Sequence, residues 1–178
     1  MIDVQVTPAN AAHFTRLLAF ARDVLDCCAA LGVHPVLSSS LALFAYTRNP
    51  DLEVHDVDLS CSESHFPRLQ EALRERGIAC TVTAWHVLQA RRDDLKVEFD
   101  ATEHWMRAIP AQYERASIAG VHFTMVSLAS LRELYRRGFV ATADTDDPGS
   151  RAKHHSICAK LRAIDVLQQR GDSHTGSR

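Results

Sequence analysis

The stretch His55-Asp56-Val57-Asp58-Leu59-Ser60 decides how the rest of the chain reads. Its polar and apolar side chains alternate, the pattern of a strand with one buried face, because residues two apart leave a pleated backbone on the same side, about 6.6 Å apart along it. Asp56 and Asp58 therefore share a face, while Val57 and Leu59 are expected to enter a core. Two carboxylates aimed at one space repel each other unless solvent or a cation relieves them, and paired oxygen ligands suit Mg²⁺ held together with substrate phosphate. Asp-x-Asp alone is more often the mark of a solvated surface strand, so its neighbours must decide.

Two neighbours bear on it. Lys96-Val97-Glu98-Phe99-Asp100 has the same alternation, with its acids again opposite the apolar face. Upstream, Ser38-Ser39-Ser40 lies between a short apolar run, Val33 to Leu37, and a helix expected from Leu41 to about Thr47. A strand-to-helix turn of that kind offers backbone N–H groups and hydroxyls to a phosphate at the positive end of the helix, and also suits ordinary helix capping. Carboxylates for a cation, a phosphate cradle and a further base together make a phosphoryl- or nucleotidyl-transfer site.

Outward from this centre, Thr7-Pro8 offers a cap and first-turn proline to an amphipathic helix on Phe14, Leu17, Leu18, Ala21, Val24, Leu25, Cys28 and Leu31, ended by Gly32. Asn49-Pro50 marks a loop, and Ser64 is expected to cap a helix on Phe66, Leu69 and Leu73 that Gly77 ends. Ile78 to Val87 and Leu95 to Ala101 are predicted as a hairpin turning at Arg91-Arg92-Asp93-Asp94, and Ser117 to Met125 as a second hairpin around Ala119-Gly120. A helix from Ser127 through Arg137, a polar loop over 141–150 and a final helix from about Lys153 to Gln169 complete the pattern. The predicted organisation is a core over residues 1–126, a helical part over 127–170 and a disordered tail over 171–178.

Composition narrows the function. At 178 residues with 46% hydrophobic side chains the chain forms one ordinary domain, with no room for a second catalytic one. Twenty Lys plus Arg against twenty-two Asp plus Glu give a net charge of −2, which argues against nucleic acid or an anionic membrane surface as partner. No apolar run reaches the roughly 20 residues needed to span a bilayer, and Met1 to Asn10 lacks a signal-peptide pattern, so a cytoplasmic protein is expected. Five cysteines without CxxC spacing fit reduced thiols. Of the ten histidines only His154 has ligand spacing, to Cys158, and one pair is too few for the about four ligands zinc takes. A serine hydrolase is disfavoured because the serine run has no Gly-x-Ser-x-Gly elbow.

Ser38-Ser39-Ser40-Leu41 through Arg48, followed by His55-Asp56-Val57-Asp58-Leu59, resembles the turn and Asp-x-Asp signature of the nucleotidyltransferase superfamily. The later stretch Asp100-Ala101-Thr102-Glu103-His104-Trp105, the hairpin and helix from Ile118 to Leu128, and Lys153-His154 are similar to features of its small aminoglycoside and lincosamide members, so the resemblance covers about residues 30–165. It implies an α/β, polymerase beta-like fold, a short mixed sheet flanked by helices with a small C-terminal helical part. It also implies transfer of a nucleoside monophosphate from an NTP, ATP first among them, to a hydroxyl of a small molecule such as an aminoglycoside-like antibiotic.

By that resemblance Asp56 and Asp58 hold Mg²⁺. Asp100 is the third carboxylate, as ligand or as base, with Glu98 in reserve, and Ser38, Ser39, Ser40, Lys153 and Arg48 face the nucleotide. Glu98, Glu103, Asp144, Asp146 and Asp147 are expected to ring the mouth with negative charge suited to a cationic acceptor. One departure stands out: the family turn usually carries glycine, and this one has three serines. If the cradle needs a left-handed backbone, the serine Cβ opposes it, and the alternative is an inactive binding or regulatory module of the same fold, such as a toxin–antitoxin component. Otherwise the hydroxyls can themselves donate to phosphate.

Overall fold

The computed structural model describes residues 1–143 and 147–175. Eight strands form one mixed sheet: β1 (Ile2–Val4), β2 (Val36–Ser38), β3 (Val57–Cys61), β4 (Ala79–Val82), β5 (Val87–Arg92), β6 (Leu95–Ala101), β7 (Tyr113–Ile118) and β8 (Val121–Val126), in the order β1-β7-β8-β2-β3-β6-β5-β4. β3 is parallel to β6 and antiparallel to β2, so the two strands expected to carry acids lie side by side near the middle of the sheet. This is the mixed α/β sheet the sequence implied, with six α-helices among the described residues: α1 (Ala11–Ala30), α2 (Ser39–Thr47), α3 (Phe66–Glu75), α4 (Thr102–Trp105), α5 (Leu128–Thr142) and α6 (Pro148–Thr175).

The core forms where the alternating patterns predicted. Val57, Leu59, Val97 and Phe99 are fully buried from β3 and β6, beneath Leu17, Ala21 and Val24 of α1 and Leu69 and Leu73 of α3. Phe14 of α1 meets Phe44 of α2 edge-on, ring centroids 5.5 Å apart, which ties the helices to one another as well as to the sheet. With one face of β3 and β6 taken up in this way, their alternate residues are left to the other face. There α5 and α6 pack together and against α2. Gly138 lets them approach, since a Cβ at that position would stand 3.0 Å from Ile157 Cδ1.

The sequence reading needs correction at several boundaries. The N-terminal strand β1 was not foreseen; it pairs in parallel with β7 and owes its place to long-range pairing of three residues. α1 starts at Ala11 instead of following Thr7-Pro8, because Asn10 turns its side chain to Val54, donating to the carbonyl and accepting from the N–H. The stretch 78–87 is not one strand. Thr83 to His86 make a turn between β4 and β5, closed by bonds from Thr83 N to Val87 O and from His86 N to Thr83 O. Arg91 and Arg92 therefore belong to β5, and the β5–β6 turn is Asp93-Asp94. α6 begins at Pro148, inside the expected loop, because Asp147 accepts from Ser150 N as a cap and Pro148 suits a first helical turn. The backbone is helical through Thr175, past the expected start of the tail at residue 171, and residues 176–178 lie outside the described residues.

Candidate active site

Parallel pairing of β3 with β6 sets Asp58 opposite Glu98 and Ser60 opposite Asp100. Since side chains two apart share a face, Asp56, Asp58, Glu98 and Asp100 all leave the sheet on the side away from the buried Val57 and Phe99. Ligand oxygens of Asp56, Asp58 and Glu98 lie within 4.8 Å of one another. Asp100 is one pair further along, so the structure brings the reserve candidate Glu98, rather than Asp100, into the tight group. Gln89 of β5, opposite Glu98 in the register, donates to Glu98 Oε1 at 2.6 Å and fixes that carboxylate.

Lys96 is the residue that the sequence reading passed over. Its Nζ lies 2.9 Å from Asp56 Oδ2 and 2.8 Å from Glu98 Oε2, between two of the three acids. Burial works against the Lys96 charge, but hydrogen bonds to Glu98 and Asp56 outweigh it and raise the ammonium above its usual value. The only sequence signal was a lysine on the acidic side of an alternating strand; its partner across the sheet depends on register.

Asp58 and Asp100 are both partly buried. Burial, then the neighbouring Asp56 charge, pushes Asp58 up to about 7, with Asp100 and Glu98 adding to the rise and a Ser39 hydrogen bond opposing it. Burial and Glu98 likewise push Asp100 up to about 6, with Lys153 and Lys96 pulling it back. A set of hard oxygen donors, all of one sign and partly desolvated, fits Mg²⁺, and the Lys96 ammonium stands where a cation would neutralise the same oxygens. Asp56, Asp58 and Glu98 are the side chains that could hold the metal.

The serine turn adjoins the acids. Ser38, 4% exposed, donates to the backbone carbonyl of Asp58 at 3.4 Å, opposite which it pairs across the sheet. Ser39 has φ +58°, the left-handed conformation usually left to glycine, so the absence of glycine does not prevent that backbone shape. Ser40 accepts from Lys160 Nζ at 2.8 Å. Lys160, half-buried on α6 and 5.3 Å from the Tyr135 ring centroid, was also missed by the sequence reading. Burial lowers it below the usual lysine value even though Asp58 and Asp56 attract it. Among the described residues the buried Ser60 Oγ has no hydrogen-bond partner. Ser60 shares the acidic face, and Tyr135 lies within the electrostatic reach of Asp58 and Asp56.

The remaining candidates divide. Lys153 is exposed but near enough to lower Asp100. Arg48 ends α2 in a left-handed conformation, its N–H bonded to Phe44 O, and its guanidinium makes no hydrogen bond or ion pair among the described residues. Among the described residues, the members of the expected acidic ring are engaged elsewhere. Glu98 is engaged by Lys96 and Gln89, and Asp147 caps α6. Glu103 accepts from Ser62 Oγ and Glu63 N beyond the far ends of β3 and β6. Asp144 and Asp146 lie outside the described residues. All five cysteines are free, and His154 meets Thr142 and Phe139.

No protein-family model matches the sequence, and no curated protein matches it significantly. Solved structures do match the fold. The antibiotic-resistance factor ANT(2'')-Ia is 14% identical with a TM-score of 0.60, over 93% of this chain and 95% of that one. A putative nucleotidyltransferase from Thermotoga maritima is 18% identical with a TM-score of 0.56, over 79% and 92%. The lincosamide antibiotic adenylyltransferase LnuA, with lincomycin bound, is 12% identical with a TM-score of 0.52, over 83% and 96%. At these identities the likeness is one of fold, and the fold is that of nucleotidyltransferases. No helix among the described residues is long and apolar enough to cross a membrane.

Proposed function

We propose that this chain is a Mg²⁺-dependent nucleotidyltransferase that moves a nucleoside monophosphate from an NTP to a hydroxyl of a small molecule. The observation that carries the reading is the convergence of Asp56, Asp58 and Glu98 on one point beside a left-handed strand-to-helix turn. When bound, Mg²⁺ supplies charge neutralisation for the triphosphate and for the leaving pyrophosphate. Asp56, Asp58 and Glu98 hold it, with Gln89 keeping Glu98 in place. The Ser39 and Ser40 hydroxyls and the N–H groups at the start of α2 face the phosphates, and Lys160 and Lys153 contribute positive charge from α6.

The acceptor oxygen forms a bond to the α-phosphorus as the bond to the β-phosphate oxygen breaks, and its proton passes to Asp100. A carboxylate raised to about 6 is poised for that transfer near neutral pH, when most of it is ionised and still basic. In this reading residues 1–126 form the transferase core, and the helices of 127–170 bring Lys153 and Lys160 to it. Mg-NTP as co-substrate implies a cytoplasmic setting. ATP is the first nucleotide to test, and aminoglycosides followed by lincosamides are the first acceptors, since one solved protein of this fold, ANT(2'')-Ia, is in complex with adenylyl-2''-tobramycin and another, LnuA, is a lincosamide antibiotic adenylyltransferase.

The test is a thermal-shift screen of the four ribonucleoside triphosphates with and without Mg²⁺, followed by pyrophosphate release with each acceptor class. At least one NTP is expected to raise the melting temperature only with Mg²⁺, and the effect is expected to vanish in Asp56→Asn. No Mg²⁺-dependent shift with any NTP overturns the enzyme reading in favour of an inactive binding module. The left-handed Ser39 speaks against that module, because the turn has the backbone shape that its lack of glycine put in question.

A further inference from the structure

Beyond the opposite ends of β3 and β6 from the three carboxylates, three chain segments meet at their side chains. Glu63 lies in the short helical turn after β3, His86 closes the turn between β4 and β5, and His104 belongs to α4, directly after β6. His86 Nδ1 is 2.8 Å from Glu63 Oε1, and His104 Nε2 is 3.2 Å from Glu63 Oε2. The two imidazoles stack with centroids 3.6 Å apart and planes 11° from parallel. All three ligand atoms lie within 4.8 Å of one another.

Ion pairing alone is a poor account of this arrangement. One carboxylate needs one cation, and two imidazolium rings stacked face to face would repel. Both histidines are more than two-fifths exposed, where solvent screens a pairing and leaves it little net value. His86 nevertheless holds φ +57°, a left-handed backbone that is strained for a non-glycine residue. A tetrahedral ion bound at about 2.0–2.1 Å sets its ligand atoms about 3.4 Å apart, against 2.8 and 3.2 Å from the two imidazole nitrogens to the Glu63 oxygens, and to face one ion the stacked rings turn out of their parallel arrangement. The frame around the cluster is also built. Glu103 accepts from Ser62 Oγ and from Glu63 N, which holds the Glu63 segment, and Trp105 Nε1 donates to Trp85 O at 3.0 Å, which joins the two histidine-bearing segments.

We propose that Glu63, His86 and His104 form a Zn²⁺ site, with His86 ligating through Nδ1, His104 through Nε2 and Glu63 through its carboxylate. Two imidazoles and a carboxylate suit this ion better than Mg²⁺, and three protein ligands leave its fourth position open to water. The site ties the β3–α3 connection, the β4–β5 turn and α4 together, so occupancy stabilises the fold. It stands independently of the transferase reading.

The experiment titrates Zn²⁺ into the untagged, full-length chain with Mg²⁺ present, reading bound metal by equilibrium dialysis and tryptophan fluorescence. Trp85 and Trp105 are the chain's two tryptophans, and each adjoins a proposed ligand in sequence, so fluorescence reports on this site. One Zn²⁺ per chain is expected. His86→Ala and His104→Ala are each expected to weaken binding at least about tenfold, while Asp56→Asn binds as the wild type does. Long-range ¹H–¹⁵N spectra of the wild-type histidines need no variant, and should show metal-induced shifts at His86 Nδ1 and His104 Nε2. Absence of stoichiometric binding, wild-type affinity in both histidine variants, loss of binding in Asp56→Asn, or unmoved nitrogens at His86 and His104 would each overturn the site.

Discussion

The same two strands end in two clusters of opposite character. Near the N-terminal end of β3, with its partners on β6, oxygen atoms gather under partial burial, and an ammonium from Lys96 stands between Asp56 and Glu98. Beyond the C-terminal ends, two imidazoles and one carboxylate gather in the open, and among the described residues Glu63 pairs with the two histidines and with no lysine or arginine. Burial makes the difference matter. At the first cluster water cannot fully relieve the repulsion, so protons or cations must, and Asp58 and Asp100 rise accordingly. At the second, solvent does most of the screening, and Glu63 is instead held below its usual value, first by its hydrogen bond with His86. Two acidic groups a few residues apart in sequence are thus pushed in opposite directions by their surroundings.

The largest expected effect separates the clusters by function. Asp56→Asn or Asp58→Asn should lower transferase turnover by at least about 10²-fold, the scale on which single catalytic electrostatic contributions are lost. His104→Ala should leave Mg²⁺-dependent NTP stabilisation unchanged. Parallel pyrophosphate-release and thermal-shift measurements check both, and wild-type turnover in Asp58→Asn would break the comparison.

Next comes pH. Asp58 at about 7 and Asp100 at about 6 keep protons that the unfolded chain releases near its ordinary value of 3.8. The folded state therefore binds more protons than the unfolded one in that window. Metal-free stability should fall as pH rises from about 4 to about 7 and then level off, while Mg²⁺, which displaces the Asp58 proton, should bind more tightly as pH rises to about 7. Melting temperatures with and without Mg²⁺ across this range give both trends, and a metal-free protein that gains stability from pH 5 to pH 7 would contradict the burial of these acids.

Lys96→Met tests the internal cation at smaller scale. Removing it leaves Asp56 and Glu98 facing each other, so the metal-free protein should lose roughly 2 kcal/mol, between the values for exposed and buried pairs. That corresponds to about 4–8 °C in melting temperature at this size, and saturating Mg²⁺ should restore more stability than it adds to the wild type. The smallest effect concerns the turn. Ser39→Gly and Ser39→Ala both lack the hydroxyl, but only glycine relieves the left-handed backbone, so Ser39→Gly should be more stable than Ser39→Ala by about 1 kcal/mol. Equal stability of the two would mean that position 39 carries no strain.

The sequence alone determined the local periodicities and the faces they define. Alternation in 55–60 and 96–100 was enough to assign Val57, Leu59, Val97 and Phe99 to the core and four acids to the other side, because a pleated strand sends alternate residues to opposite faces whatever lies around it. The helical stripe of α1 was legible for the same reason. Features that depended on distant partners were not. The three residues of β1 are too few to show a period, and the break at residues 83–86 is set by a turn whose bonds return to the adjoining strands. Register alone put Glu98, and not Asp100, opposite Asp58, and set Lys96 between Asp56 and Glu98. Lys160 reaches Ser40 across 120 positions of chain, and Glu63 meets His86 and His104 across 23 and 41. Ligand spacing along a sequence detects only sites held by one helix or turn, whereas these are assembled by sheet pairing and helix docking, which bring together residues with no local signal of one another.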